Sequence, residues 1–143
     1  MLRQFLVGGL ASICNIAIHA MVMMTVIRVA QAIGKDYKRT YPSILVAVMA
    51  ATVSVLMAAH TAEVVVWAMT YFLVAAVPPG TDLIYFAYVN YTTLGYGDVV
   101  PVKEWQLLGP MTAMNGVLLF GWSTAVIFSV LQKAWLTDRA GEG

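Results

Sequence analysis

Apolar residues run along this chain in blocks rather than in alternation. Three blocks, residues 2–29, 44–77 and 105–131, carry few charges, and each is long enough to cross a bilayer core as a helix, which takes about 20 apolar residues. Backbone groups in lipid must be satisfied within their own segment, so helices are the expected form. A fourth stretch, 82–91, is apolar and aromatic but too short to cross, the length of a segment that enters and leaves by one face. The pattern predicts an all-α membrane protein with three transmembrane helices and one re-entrant helix between the second and the third.

Polar punctuation sets the boundaries. Gly34-Lys35-Asp36-Tyr37-Lys38-Arg39-Thr40 is the longest interruption, so an N-terminal helix is expected over 1–33 and a basic loop over 34–42. Pro42 suits the first turn of a helix, where its missing N–H is no loss. The second helix is expected over 43–77, ended by Pro78-Pro79-Gly80, which cannot continue the hydrogen-bond ladder. Thr81 is the expected N-cap of a short helix over 81–92, with Asp82 in its first turn. The last helix is expected over 104–133, closing a unit at 43–135, with a short tail at 136–143. Arg28, Lys35, Lys38 and Arg39 make the 34–42 loop cytoplasmic by the positive-inside rule, which places the N-terminus outside and Lys133, Arg139 and the C-terminus inside. Arg3 followed by apolar residues imitates a secretory leader, but such a leader's apolar region is roughly 7–15 residues and this run is nearly twice that, so it reads as a span.

Composition agrees with the bilayer: 61% of residues are hydrophobic and 10% charged, too few charges to solvate a surface in water. Membrane lipids are therefore expected partners. A net charge of +1 gives nucleic acid no reason to bind. Cys14 stands alone in an apolar run, so no intramolecular disulfide can form.

The stretch Thr92-Thr93-Leu94-Gly95-Tyr96-Gly97-Asp98 carries the candidate chemistry. Glycines in alternate positions can take backbone angles closed to other residues, so that successive carbonyl oxygens point one way. Repeated around a fourfold axis, such a row makes stacked oxygen cages that replace the hydration shell of a cation. In that reading the Thr93 hydroxyl and carbonyl form the innermost ion site, and the Leu94, Gly95 and Tyr96 carbonyls line the sites above. Gly97 helps form the outer mouth, Thr92 and Asp98 support the loop, and the Tyr96 side chain points away and braces it. The C-terminal end of the preceding helix aims its negative dipole end at the same place.

This stretch resembles the potassium-channel signature, the Thr-Val-Gly-Tyr-Gly-Asp type of selectivity filter. The region from Tyr41 to Lys133 looks like the two-helix pore module of prokaryotic potassium channels: outer helix, pore helix, filter at 93–97 and inner helix, with one extra N-terminal helix in front. The resemblance implies K+ ions at Thr93, Leu94, Gly95 and Tyr96, no organic cofactor, no enzyme activity, permeant monovalent cations, and a homotetramer, since one motif per chain supplies a quarter of a filter. It also implies a multi-pass protein of the cell, or inner, membrane. Leu94 departs from the commoner valine, which leaves ion preference intact and puts filter gating in question.

The remaining polar residues leave alternatives open. Gly109, Gly116 and Gly121 lie along the last span, with Gly116 either the hinge that the resemblance suggests or a site of close packing. Asn115 faces either a water-filled cavity or a neighbouring helix. Ser123 and Thr124 need no function, because each can bond back to its own helix. His60 and Glu63 share a helix face, and His19 lies in the first span. They form a structural network behind the filter, a sensor of pH or divalent metal, or a metal or haem site. Counting helical rise from the loop puts His60 and His19 at unequal depths, about 27 and 18 Å, which argues against a site shared within one chain. Rival functions are a cation channel indifferent to sodium and potassium, a haem- or metal-binding redox subunit using His19 and His60, and a non-conducting partner of another channel.

Overall fold

The protein is described here from a computed structural model covering residues 1–36 and 42–140. Four α-helices follow one another, α1 (Leu2–Asp36), α2 (Pro42–Leu73), α3 (Leu83–Tyr91) and α4 (Leu108–Ala140), with one 3-10 turn at Lys103–Trp105. No strand occurs among the described residues. Three of the helices are long and apolar enough to cross a membrane, over Leu2–Val29, Leu45–Leu73 and Lys103–Gln132.

Several ends fall away from where polarity placed them. α1 continues through Gly34 to Asp36 instead of stopping at 33, and α4 continues to Ala140, so most of the expected tail is helix. Loss of hydropathy marks where lipid ends, whereas Ala30, Gln31, Ala32 and Lys35 are helix formers that carry the ladder onward. Of the expected loop, residues 37–41 lie outside the described residues. α2 stops at Leu73, short of 77 and before Pro78 is reached. Ala75 takes the left-handed conformation, φ +49°, its N–H donates to Phe72 O at 3.1 Å, and the Ala76 N–H donates to Tyr71 O at 2.9 Å. That pair of bonds is a Schellman C-cap, built on alanine where glycine is the usual residue. Asp82, not Thr81, caps α3: its Oδ1 accepts from the N–H groups of Ile84 and Tyr85, both at 3.0 Å, while the Thr81 hydroxyl turns back to Pro78 O. A carboxylate accepts more strongly than a hydroxyl, and it sits favourably at a helix N-terminus.

α1 lies against both α2 and α4, antiparallel to the first and parallel to the second. Along it, Gly8 meets Leu108 and Met111, Asn15 meets Glu63 and Asn115, and Met23 packs with Leu56 and Val126. α3 is held between α2 and α4 through Phe86, Ala87, Val89 and Tyr91, all buried. Two apolar clusters result, one around Val64, Trp67, Tyr71, Phe86 and Tyr91 at the α3 end and one around Met23, Val26, Leu56 and Val130 toward the α1–α2 loop. Lipid tails are as apolar as these side chains, so helix association in a membrane rests on close packing and hydrogen bonds. Both are concentrated in a layer of buried polar residues, Asn15, His19, His60, Glu63, Asn115 and Ser123.

Candidate functional site

The loop after α3 has an uncommon backbone. φ is +62° at Thr93, +57° at Gly95 and +76° at Gly97, so its sign alternates along 93–97. Glycine accepts positive φ without penalty, but for a β-branched threonine it is a true outlier, and such strain costs of order 1–3 kcal/mol and clusters at functional sites. The N–H groups of Leu94 and Gly95 both donate to Val89 O, at 3.0 and 3.2 Å. Successive N–H groups thus converge on the end of α3, as alternating right- and left-handed residues allow. Among the described residues the carbonyls of 93–97 accept no hydrogen bond. The Leu94 and Tyr96 side chains are exposed on the isolated chain, so Tyr96 braces nothing within it.

Both ends of this loop are tied down. Thr92 caps α3, its N–H and hydroxyl both reaching Tyr88 O. On the far side, Asp98 Oδ2 accepts from the Tyr85 hydroxyl at 2.8 Å, and the Val102 N–H donates to Ala76 O at 2.8 Å, joining the loop's exit to α3 and to the end of α2. That hydrogen bond to Asp98 raises the pKa of the Tyr85 phenol above its ordinary value.

Behind α3, three donors converge on one carboxylate. His19 Nδ1 lies 2.7 Å from Glu63 Oε1, His60 Nδ1 lies 2.9 Å from Oε2, and the Tyr91 hydroxyl donates to Oε2 as well. Ser123 closes the ring, its Oγ 2.9 Å from His60 Nε2 and 3.3 Å from His19 Nε2. The two histidine rings are 5.2 Å apart, which overturns the depth mismatch expected from the sequence. Because α1 extends to Asp36, His19 stands 17 residues from its end and His60 stands 18 from the start of α2, about 26 and 27 Å at 1.5 Å per residue. Both rings are held on Glu63 by hydrogen bonds and packed among helices.

A second polar group lies beside the first. Asn15 Nδ2 donates to Glu63 O and to Asn115 Oδ1, which also accepts from Trp67 Nε1 at 3.0 Å. Asn115 is 2% exposed, so of its two expected placements the structure has the one between helices. Asn15 Oδ1 is buried without a partner among the described residues. At Gly116 a Cβ would stand 2.0 Å from Tyr91 O, so close approach of α3 accounts for this glycine. Sequence reasoning missed Asn15, Tyr91 and Ser123. Each is an ordinary residue until helix register brings it to the layer, although a buried asparagine four residues before His19 was a signal of a shared polar face.

A family model described as an ion channel matches residues 43–133. The chain belongs to this ion channel family. Neither the curated proteins nor the solved structures offer a match to it. The channel domain so matched comprises α2, α3, the 93–97 loop and most of α4. α1 lies outside it, yet supplies His19 and Asn15 to the polar layer at the domain's centre.

Proposed function

We propose that this ion channel is potassium-selective, a homotetramer in which four copies of the 93–97 loop surround one ion path. The observation that carries the reading is the alternation of φ at Thr93, Gly95 and Gly97, with the N–H groups of Leu94 and Gly95 drawn to α3. Rows of free carbonyls around an axis replace a cation's hydration shell. The C-terminal end of α3 adds a negative dipole end beneath them. Thr93, Leu94, Gly95 and Tyr96 hold K+, with Gly97 at the mouth and Thr92 and Asp98 as supports. In this reading the basic loop and the C-terminus are cytoplasmic, α1 starts outside, and the exposed apolar faces of α1, α2 and α4 meet lipid or neighbouring subunits. His19, His60 and Glu63 hold α3 from behind.

The test is potassium-driven flux into liposomes containing only this protein, against sodium under the same gradient and against Gly95→Ala. A Cβ at 95 would meet nothing closer than Thr93 O at 3.9 Å, so the substitution acts through the backbone, at roughly 1–2 kcal/mol per left-handed residue. Flux that prefers potassium and disappears in the variant is the expected result. Equal sodium and potassium flux would reject selectivity while keeping the channel.

A further inference from the structure

The polar layer holds more nitrogen and oxygen donors at one point than the bracing of a helix requires. His19, His60 and Glu63 each bring a ligand atom within 4.8 Å of the others, and the Tyr91 hydroxyl lies 2.9 Å from His60 Nδ1. Both histidines turn the same nitrogen, Nδ1, toward the carboxylate, from either side of it. Both turn the other nitrogen, Nε2, toward one hydroxyl, that of Ser123. From the geometry we infer that His19, His60, Glu63 and Tyr91 form a binding site for a divalent transition metal of the zinc type.

The protons available to this network do not match its acceptors when both rings are neutral. A carboxylate only accepts, so with two neutral rings both Nδ1 atoms carry their protons toward Glu63 and both Nε2 atoms become acceptors. Ser123 has a single proton to give, and one Nε2 is left unpaired in a place where His19 is fully buried. A metal ion in place of the Nδ1 protons reverses this. Both Nε2–H groups then donate to Ser123 Oγ, whose two lone pairs match them. A shared outer partner on the second ring nitrogen is how metal-bound histidines are usually oriented. Two imidazoles and a carboxylate are a zinc ligand set, and Tyr91 stands where a fourth ligand is needed. Glu63 offsets one of the metal's two charges, and Tyr91 offsets the second if the metal displaces its proton. Apolar clusters flank the layer on both sides, and the ligand with most exposed surface is His60, its side chain 11% exposed against 0% for His19 and Glu63.

Protein purified in detergent and stripped with a chelator is equilibrated with zinc, and separately with cobalt(II). Expected are one metal ion per folded chain, visible cobalt ligand-field bands, and a melting temperature raised by zinc. Binding is expected to be lost in His19→Gln and Glu63→Gln and weakened roughly 10–100-fold in Ser123→Ala, which leaves all four ligands in place. Folded wild-type protein that takes up no stoichiometric metal and whose melting is unmoved by zinc would overturn the site, leaving a network held by protons. Metal retained by both the His19 and the Glu63 variants would overturn it equally.

Discussion

At the scale of single residues, backbone angle decides more than side chain. Ala75 closes α2 in a conformation that costs an L-residue roughly 1–2 kcal/mol, with nothing gained from its methyl group. Ala75→Gly is expected to raise stability by about 1 kcal/mol in a detergent unfolding titration, and an unchanged midpoint would contradict that account of the cap. Gly116→Ala is expected to move the other way, by about 1–3 kcal/mol or to the point of misfolding, because a methyl has no room beside Tyr91 O. These cases also mark what was legible in the sequence. Gly95 and Gly97 announce positive φ by their type, so the loop could be read. Thr93 and Ala75 hold the same conformation, which residue type gives no reason to expect.

At the scale of elements, the spans were legible because lipid demands a run of apolar residues, and the re-entrant helix because its run is too short. Their ends were not, since hydropathy reports the edge of the bilayer and helix propensity carries α1 and α4 past it. The tie between α3 and the loop's exit carries a pH dependence of its own. The Tyr85 phenol bonded to Asp98 has its pKa raised above 10.0, so the tie is fully present below that pH and is lost as pH rises through the raised value. Alkaline conditions are therefore expected to loosen the loop in wild type. In Tyr85→Phe, already without the bond, hydrogen exchange of the loop amides corrected for intrinsic rate should show no such transition.

For the whole molecule, α1 supplies buried side chains to the centre of the channel domain although the family match excludes it. Removing residues 1–36 takes away His19 and Asn15 and strands Glu63 with fewer donors. Breaking a buried charged network this way typically costs about 3–5 kcal/mol. The truncated chain is expected to fail to fold in detergent, and Glu63→Gln in the same background to recover part of its helical content by removing the buried charge. A truncated chain that folds and conducts like the full protein would reduce α1 to a lipid-facing addition. This convergence was the least legible part of the protein. It depends on the register between helices, and placing the end of α1 short of Asp36 was enough to separate His19 from His60.

The contact at Gly116 has a consequence for motion. Tyr91 O occupies the place of a missing side chain on α4, and Tyr91 immediately precedes the threonines that open the 93–97 loop. α4 therefore cannot swivel or slide at this level without pushing on the residue that ends α3. α4 and the 93–97 loop are geared together, and a displacement begun at the far end of α4 reaches that loop through one carbonyl.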